Sequence, residues 1–229
     1  MTIQLYDLAG QDDDLRFSPF CWRVKLALAH KGLAFETIPW RFTEKEALAF
    51  SGQGLVPVIR DGETVVHDSW DIARYLDRAY PDRPALFEGP EAEALCRFLV
   101  GWSGTQIQAL LMRLIVVDLF DCIHQGDRDY FRSSREARLG KPLEQAVMPV
   151  EDGVAELGRR LEPLRLTLRE RPYLSGERPA FADYIVFSAF MWARCVSPIR
   201  LLAGDDPVHA WRERMLDLHG GLARAARTV

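Results

Sequence analysis

No part of the sequence says more about the architecture than Val56-Pro57-Val58-Ile59-Arg60-Asp61-Gly62-Glu63-Thr64-Val65-Val66-His67-Asp68-Ser69. Two β-branched runs flank Asp61-Gly62, a strong turn signal, so residues 56–66 read as a hairpin. Asp68 and Ser69 stand where a helix cap belongs. Ile72, Ala73, Leu76 and Ala79 then recur at helical spacing until Pro81 stops the run. Toward the N-terminus, Ile3-Gln4-Leu5-Tyr6 alternates as a short strand. Phe20, Val24, Ala27, Leu28 and Lys31 share one helix face closed by Gly32, and Phe35 to Pro39 reads as a second strand. The order β-α-β, loop, β-β-α implies a small mixed sheet with helices on its faces.

Beyond this unit the character changes. Pro81-Asp82-Arg83-Pro84 and Glu88-Gly89-Pro90 form a proline-rich connector, which divides the chain into residues 1–80, a linker at 81–90 and a second domain at 91–229. That second domain is expected to be all-helical. Leu95, Phe98, Leu99, Trp102, Leu110, Leu111, Leu114 and Val117 outline a long helix, with a bend expected near Gly101 and Gly104. Val154, Leu157, Leu161, Leu164 and Leu168 predict a second helix, and Tyr184, Phe187, Ser188, Met191, Trp192 and Cys195 a third.

Composition narrows the function classes. The 229 residues carry 33 acidic and 29 basic side chains, a formal charge of −4, which gives no basic footprint for nucleic acid. The four cysteines are scattered without zinc spacing, so a reducing compartment fits and neither a disulfide scaffold nor a metal site is expected. The start of the chain shows no basic residues followed by a long apolar run, and Ala109 to Phe120 is broken by Arg113 and Asp118. A cytoplasmic protein with no membrane partner is the expectation.

Three short segments carry candidate chemistry. Ser18-Pro19 opens the first helix, where a serine before proline is an ordinary N-cap. The same geometry aims free N–H groups and the positive helix end at whatever lies beside Ser18, a place that stabilises a thiolate. Val56-Pro57 enters a strand after a loop, a recurrent site of cis peptides, although trans proline is the default there. A cis bond frees the Val56 N–H and C=O to pair with an extended peptide. Asp68 suits an ammonium and Ser69, with the helix N–H groups, a carboxylate; a plain helix cap is the equal alternative.

In this order, with a helical domain behind them, the three segments resemble the glutathione transferase superfamily over essentially the whole chain. The resemblance implies a thioredoxin-like N-terminal domain binding glutathione as co-substrate. It also implies an all-helical domain shaping the pocket for a hydrophobic or aromatic electrophile, and a homodimer. Carried over by position, Ser18 activates the thiol, Val56 before Pro57 is the backbone clamp, and Asp68 and Ser69 hold the γ-glutamyl group. Arg41, Lys45 and Gln53 are available for the glycine carboxylate, and the sequence does not choose among them. Trp102, Gln106, Leu110 and Arg113 recur on one face of the long helix and are the expected wall of the second-substrate pocket, with core packing as the competing reading.

Neighbouring residues are read more plainly. Cys21 lies one turn beyond Ser18 and is expected to be a buried thiol rather than a redox group. Tyr6 is a secondary candidate for the sulfur. Arg128, Arg132, Arg135, Arg138 and Lys141, balanced by Asp127, Asp129 and Glu136, read as a solvated basic stripe.

Within the superfamily, Gly126-Asp127-Arg128-Asp129-Tyr130, Ser134-Arg135-Glu136, Phe181-Ala182-Asp183-Tyr184 and Asp205-Asp206-Pro207 with Trp211 resemble the bacterial β-aryl-etherase branch and its fungal relatives. That branch implies glutathione-dependent opening of β-O-4 ethers of lignin-derived aromatics, but the long C-terminal extension of some etherases is missing. Ser18 with Cys21-Trp22-Arg23-Val24 also resembles the maleylacetoacetate isomerase class. A non-catalytic binder of hydrophobic ligands is the reading from a different class. One departure concerns folding: Ala180 occupies the cap position of the Ser/Thr-x-x-Asp box that ends in Asp183.

Overall fold

A computed structural model describes residues 2–229. Strand β1 (Ile3–Leu8) pairs in parallel with β2 (Phe35–Trp40) and antiparallel with β3 (Val58–Asp61), and β3 pairs with β4 (Thr64–His67). The sheet order is β2-β1-β3-β4, so Pro39 sits in an edge strand, where a missing N–H is tolerated. Leu5, opposite both Thr37 and Ile59, is fully buried at the sheet centre. The hairpin turns through Gly62-Glu63, one residue later than Asp61-Gly62 alone indicates, with Gly62 at φ 58°.

Helix α1 (Pro19–His30) lies between this sheet and α9 (Phe181–Val196), and nine of its twelve residues are buried. Two of its cations, and Lys31 just beyond its end, must therefore find partners inside. Lys25 Nζ lies 2.9 Å from an oxygen of fully buried Asp7. Arg23 donates from Nε to Ser188 Oγ of α9 at 3.2 Å. Lys31, which follows the last turn, reaches Asp77 at 2.5 Å and the Tyr80 carbonyl at 3.2 Å. Asp77, on α2 (Ser69–Ala79), also accepts from the Leu86 and Phe87 N–H groups, both at 2.9 Å. The segment from Tyr80 to Gly89 has no regular structure, and these bonds pin it to the first domain.

The second domain contains α3 (Pro90–Trp102), α4 (Ala109–Asp121), α5 (Arg128–Leu139), α6 (Leu143–Ala146), α7 (Val150–Arg160), α8 (Glu162–Glu170), α9 and α10 (Pro207–Gly221). No strand appears there among the described residues, in agreement with the all-helical expectation. Between α3 and α4 a π-helical turn spans Ser103–Gln108, so the bend expected at Gly101 and Gly104 takes the form of a wider turn in one continuous helix. The whole run, Pro90–Asp121, is long and apolar enough to cross a membrane by length and composition. Here its Ile107, Leu111, Ile115 and Val116 are fully buried in the core of the helical domain.

One helix expected from periodicity is two. Val154 and Leu157 belong to α7, Leu164 and Leu168 to α8, and Leu161 stands between them. Pro163 has no N–H to continue the first helix, so the chain restarts with Arg165 N–H donating to Leu161 O at 3.1 Å. Helices α4 and α7 cross closely at Gly153: a Cβ there would lie 2.2 Å from Leu114 Cδ2.

Two buried carboxylates fasten loops to helices. Asp127 accepts from the Phe42 N–H at 2.8 Å, the Thr43 N–H at 2.9 Å and the Thr43 hydroxyl at 2.7 Å, which locks the loop after β2 to the second domain. Asp183 accepts from Leu174 N, Ser175 N, Ala180 N and Trp211 Nε1 at 2.8–3.3 Å. Ala180 is the N-cap of α9, as read from the sequence, and Asp183 closes the return half of the box alone. Ala180→Ser is expected to add about 0.5–1 kcal/mol and raise the melting temperature by about 1–4 °C. Asp183→Ala leaves buried donors unpaired and is expected to cost about 3 kcal/mol or more, read from chemical denaturation midpoints.

Candidate functional site

Where the two domains meet, a cavity of about 860 Å³ opens. The first domain contributes Ser18, Phe20, Trp40, Phe42, Gln53, Val56, Pro57, Asp68 and Ser69; the second contributes Gly104, Gln108, Met112, Phe131, Arg135, Arg138 and Trp192. The three segments singled out in the sequence thus share one wall.

Ser18 is the N-cap of α1 and is 4% exposed. Its Oγ accepts from Cys21 N–H at 3.3 Å, and the hydroxyl also lies beside the buried Cys21 thiol. Because capping uses only a lone pair of Oγ, the rotatable O–H can turn either to the Cys21 thiol or to a guest in the cavity. The Val56–Pro57 peptide is cis, and the Val56 N–H and C=O bond to no other described residue. Asp68, not Ser69, is the N-cap of α2, with Oδ1 accepting from Trp70 N–H at 2.8 Å; Ser69 is the first helical residue and is buried. Asp68 holds φ 67°, ψ 131°, a conformation that costs a non-glycine residue about 1–3 kcal/mol and is concentrated at working sites. Behind it, burial pushes the Arg23 guanidinium down to about 10, and the Asp68 charge offsets part of that.

The glycine-end candidates separate. Gln53 lines the cavity, but its amide is folded onto its own loop, accepting from Leu55 N–H at 2.7 Å and donating to Leu55 O at 2.9 Å. Arg41 is outside the lining and paired with Asp13 at 2.5 Å. Lys45 is also outside the lining, with Nζ donating to Gly54 O at 2.7 Å and packed 4.9 Å from the Trp40 ring centre. Burial lowers the Lys45 pKa, opposed by Asp127.

The long helix presents a different face from the one its spacing indicates. Trp102, Gln106, Leu110 and Arg113 all lie outside the lining: Leu110 is core, Arg113 is exposed, and the Gln106 backbone carbonyl accepts from Arg160 at 3.0 Å. Gly104, Gln108, Ala109 and Met112 take that place. The π turn at Ser103–Gln108 breaks the 3.6-residue spacing on which the sequence reading relied. Arg135 and Arg138 depart from the solvated stripe in the same way, since both line the cavity. Phe42, Met112, Phe131 and Trp192 complete an apolar wall that no local motif marks.

Cys21 is fully buried, and burial first, then Asp7, pushes its thiol far above the ordinary range, so it is a packing group. The other three cysteines are also buried. Native protein at neutral pH is expected to resist iodoacetamide at all four thiols, read by mass spectrometry; rapid labelling of Cys21 contradicts the packing role.

Residues 17–79 match the glutathione S-transferase N-terminal domain family, and residues 94–220 match the glutathione S-transferase C-terminal domain family. The chain therefore belongs to the glutathione S-transferase family, whose members use glutathione as co-substrate. The glutathione S-transferase-like protein ustS of Aspergillus flavus is 28% identical over 169 residues, 69% of this chain and 57% of that protein. Glutathione S-transferase Z1 of Arabidopsis thaliana is 39% identical over 69 residues, 28% of this chain and 31% of that one. The matched part of the chain thus spans little more than half of the first relative and about a third of the second. Glutathione transferase GSTFuA3 from Phanerochaete chrysosporium is similar in structure, with TM-score 0.78 at 27% identity, covering 96% of this chain and 92% of that one. A glutathione S-transferase of Ceriporiopsis subvermispora, solved in complex with glutathione, gives TM-score 0.80 at 22% identity, covering 96% of each chain, a likeness of fold alone.

Proposed function

We propose that this chain is a glutathione transferase in which Ser18 holds the co-substrate as thiolate for attack on an aromatic electrophile. The observation that carries the reading is the buried Ser18 hydroxyl at the start of α1, which caps the helix through a lone pair and lines the same cavity as Val56, Asp68 and Ser69. In this reading the tripeptide lies extended along the first domain. Val56 pairs with its backbone, and the Asp68 Oδ2 that is not used in capping takes the γ-glutamyl ammonium. Ser69 and the first N–H groups of α2 take the γ-glutamyl carboxylate.

The magnitudes are sufficient. A thiol of pKa about 8.5 is about 3% ionised at pH 7, and lowering it by about two units requires roughly 2.7 kcal/mol in favour of the anion. A hydroxyl donating to a charged sulfur supplies about 1.5–3 kcal/mol and the helix terminus up to about 1 more. The sulfur then forms a bond to the electrophilic carbon while the bond to the leaving group breaks. The leaving group departs with the electron pair, and the proton released from the thiol is taken up by solvent or by that group.

The narrower form of this reading is β-aryl ether cleavage, in which the attacked carbon bears an aryloxy group and phenolate leaves. It rests on the second-domain segments around Asp127, Asp183 and Trp211, together with the aromatic lining by Phe42, Phe131 and Trp192. A second reading, glutathione-dependent cis-trans isomerisation of a maleyl compound, draws on the local 39% identity to glutathione S-transferase Z1. Phenol release from an aryl ether supports the first, and isomerisation without net glutathione consumption supports the second. Leu95 and Phe98, each 66% exposed on α3, fit the homodimer included in the proposal.

Ser18→Ala is expected to lower kcat/KM by about 10- to 100-fold at neutral pH and to move the alkaline-rising midpoint of the pH–rate profile upward. An unchanged rate and profile sinks the role of Ser18. Asp68→Asn keeps an acceptor for Trp70 N–H and removes the charge. It is expected to raise KM for glutathione about tenfold with little change in melting temperature, and a fall in kcat alone contradicts the assignment.

A further inference from the structure

The charges of α5 do not balance locally. Arg132 takes Glu136 and Glu144, both at 2.9 Å, and Arg128 turns back to the carbonyls of Ile123 and Asp121 at 3.5 and 3.4 Å. Arg135 and Arg138 line the cavity, and neither has an ion-pair partner among the described residues. Asp127, on the neighbouring turn, is already occupied by the Phe42 and Thr43 donors. The one acid in the lining, Asp68, belongs to the α2 cap and faces buried Arg23.

Arg135 is also held in place. Its guanidinium carbon lies 4.8 Å from the Phe42 ring centre and 4.5 Å from that of Phe131. Nη1 donates to Ser134 Oγ at 2.9 Å, while buried Nε has no hydrogen-bond partner among the described residues. Burial, and then the like charge of Arg138, lower its pKa, in keeping with a cation short of an anion. A solvated arginine has no reason to keep such a place, because an unpaired buried donor is costly.

We propose that Arg135 is a specificity residue for a carboxylate carried by the aromatic second substrate: the ring packs against the Phe42–Phe131 wall while the anion completes the guanidinium. This rests on the conjugating reading for what the second molecule is doing there, and it replaces a merely hydrophobic acceptor by an aromatic acid. The geometry has the requirements of such recognition, namely a planar donor fork packed close to two aromatic rings beside an apolar surface.

The test is binding, measured by calorimetry on glutathione-saturated protein with 4-nitrobenzoate and its neutral counterpart 4-nitrobenzamide. Wild type is expected to bind the acid about 10-fold tighter or more, Arg135→Gln to lose that preference, and Arg135→Lys, which keeps the charge without the planar fork, to retain only part of it. Equal affinities in the wild type, or a preference that survives in Arg135→Gln, overturn the proposal. So does a loss of glutathione affinity in Arg135→Gln with the preference intact, which assigns the cation to the glycine carboxylate of the tripeptide. Turnover of 4-chloro-3-nitrobenzoate is followed separately. If the acid preference is present but no chloride is displaced, the conjugating reading fails while the anion site stands.

Discussion

The architecture turns on α1, a helix buried on nearly every side between a four-stranded sheet and the helical domain. Burial of this kind requires that every charge on the helix be answered from a different element: Lys25 by Asp7 of β1, Arg23 by Ser188 of α9, and Lys31 beyond its end by Asp77 of α2. Each answer fixes the helix against one neighbour, so its N-terminus has little freedom. That terminus, with Ser18 as its cap, is the floor of the cavity. A site that must present one hydroxyl to a charged sulfur depends on that immobility, since electrostatic stabilisation acts only when the donor is already aimed.

The fastening carboxylates give the second domain a different meaning from the one its motifs first carried. Asp127 ties the loop bearing Phe42 to the helical domain, and Asp183 gathers four donors including the Trp211 indole. Both belong to the segments on which the etherase likeness rests, and in the structure they hold the backbone together rather than face the cavity, whereas Arg135 of the same segments lines it. They inform on the fold of the second domain and leave the choice of acceptor to Phe42, Phe131, Arg135 and Trp192.

Legibility follows the range of the interaction. The hairpin, α1 and α2 were readable because turn chemistry, caps and periodicity act within a few residues, and Ser18, Val56 and Asp68 belong to that local grammar. Pro163 was equally local, and its break of the α7–α8 run follows from a missing N–H. The far wall was not readable. A π turn displaced the helix face, so Trp102, Gln106, Leu110 and Arg113 gave way to Gly104, Gln108, Ala109 and Met112. Arg135 looked like one member of a solvated stripe until Phe42, brought across by Asp127, closed over it.

The central claim is that the cavity keeps a bound thiol ionised through Ser18. The most direct measurement is an ultraviolet titration of the thiolate band of glutathione bound to the protein. The account predicts a midpoint about two units below the free-thiol value near 8.5. A midpoint at or above the free value would contradict it.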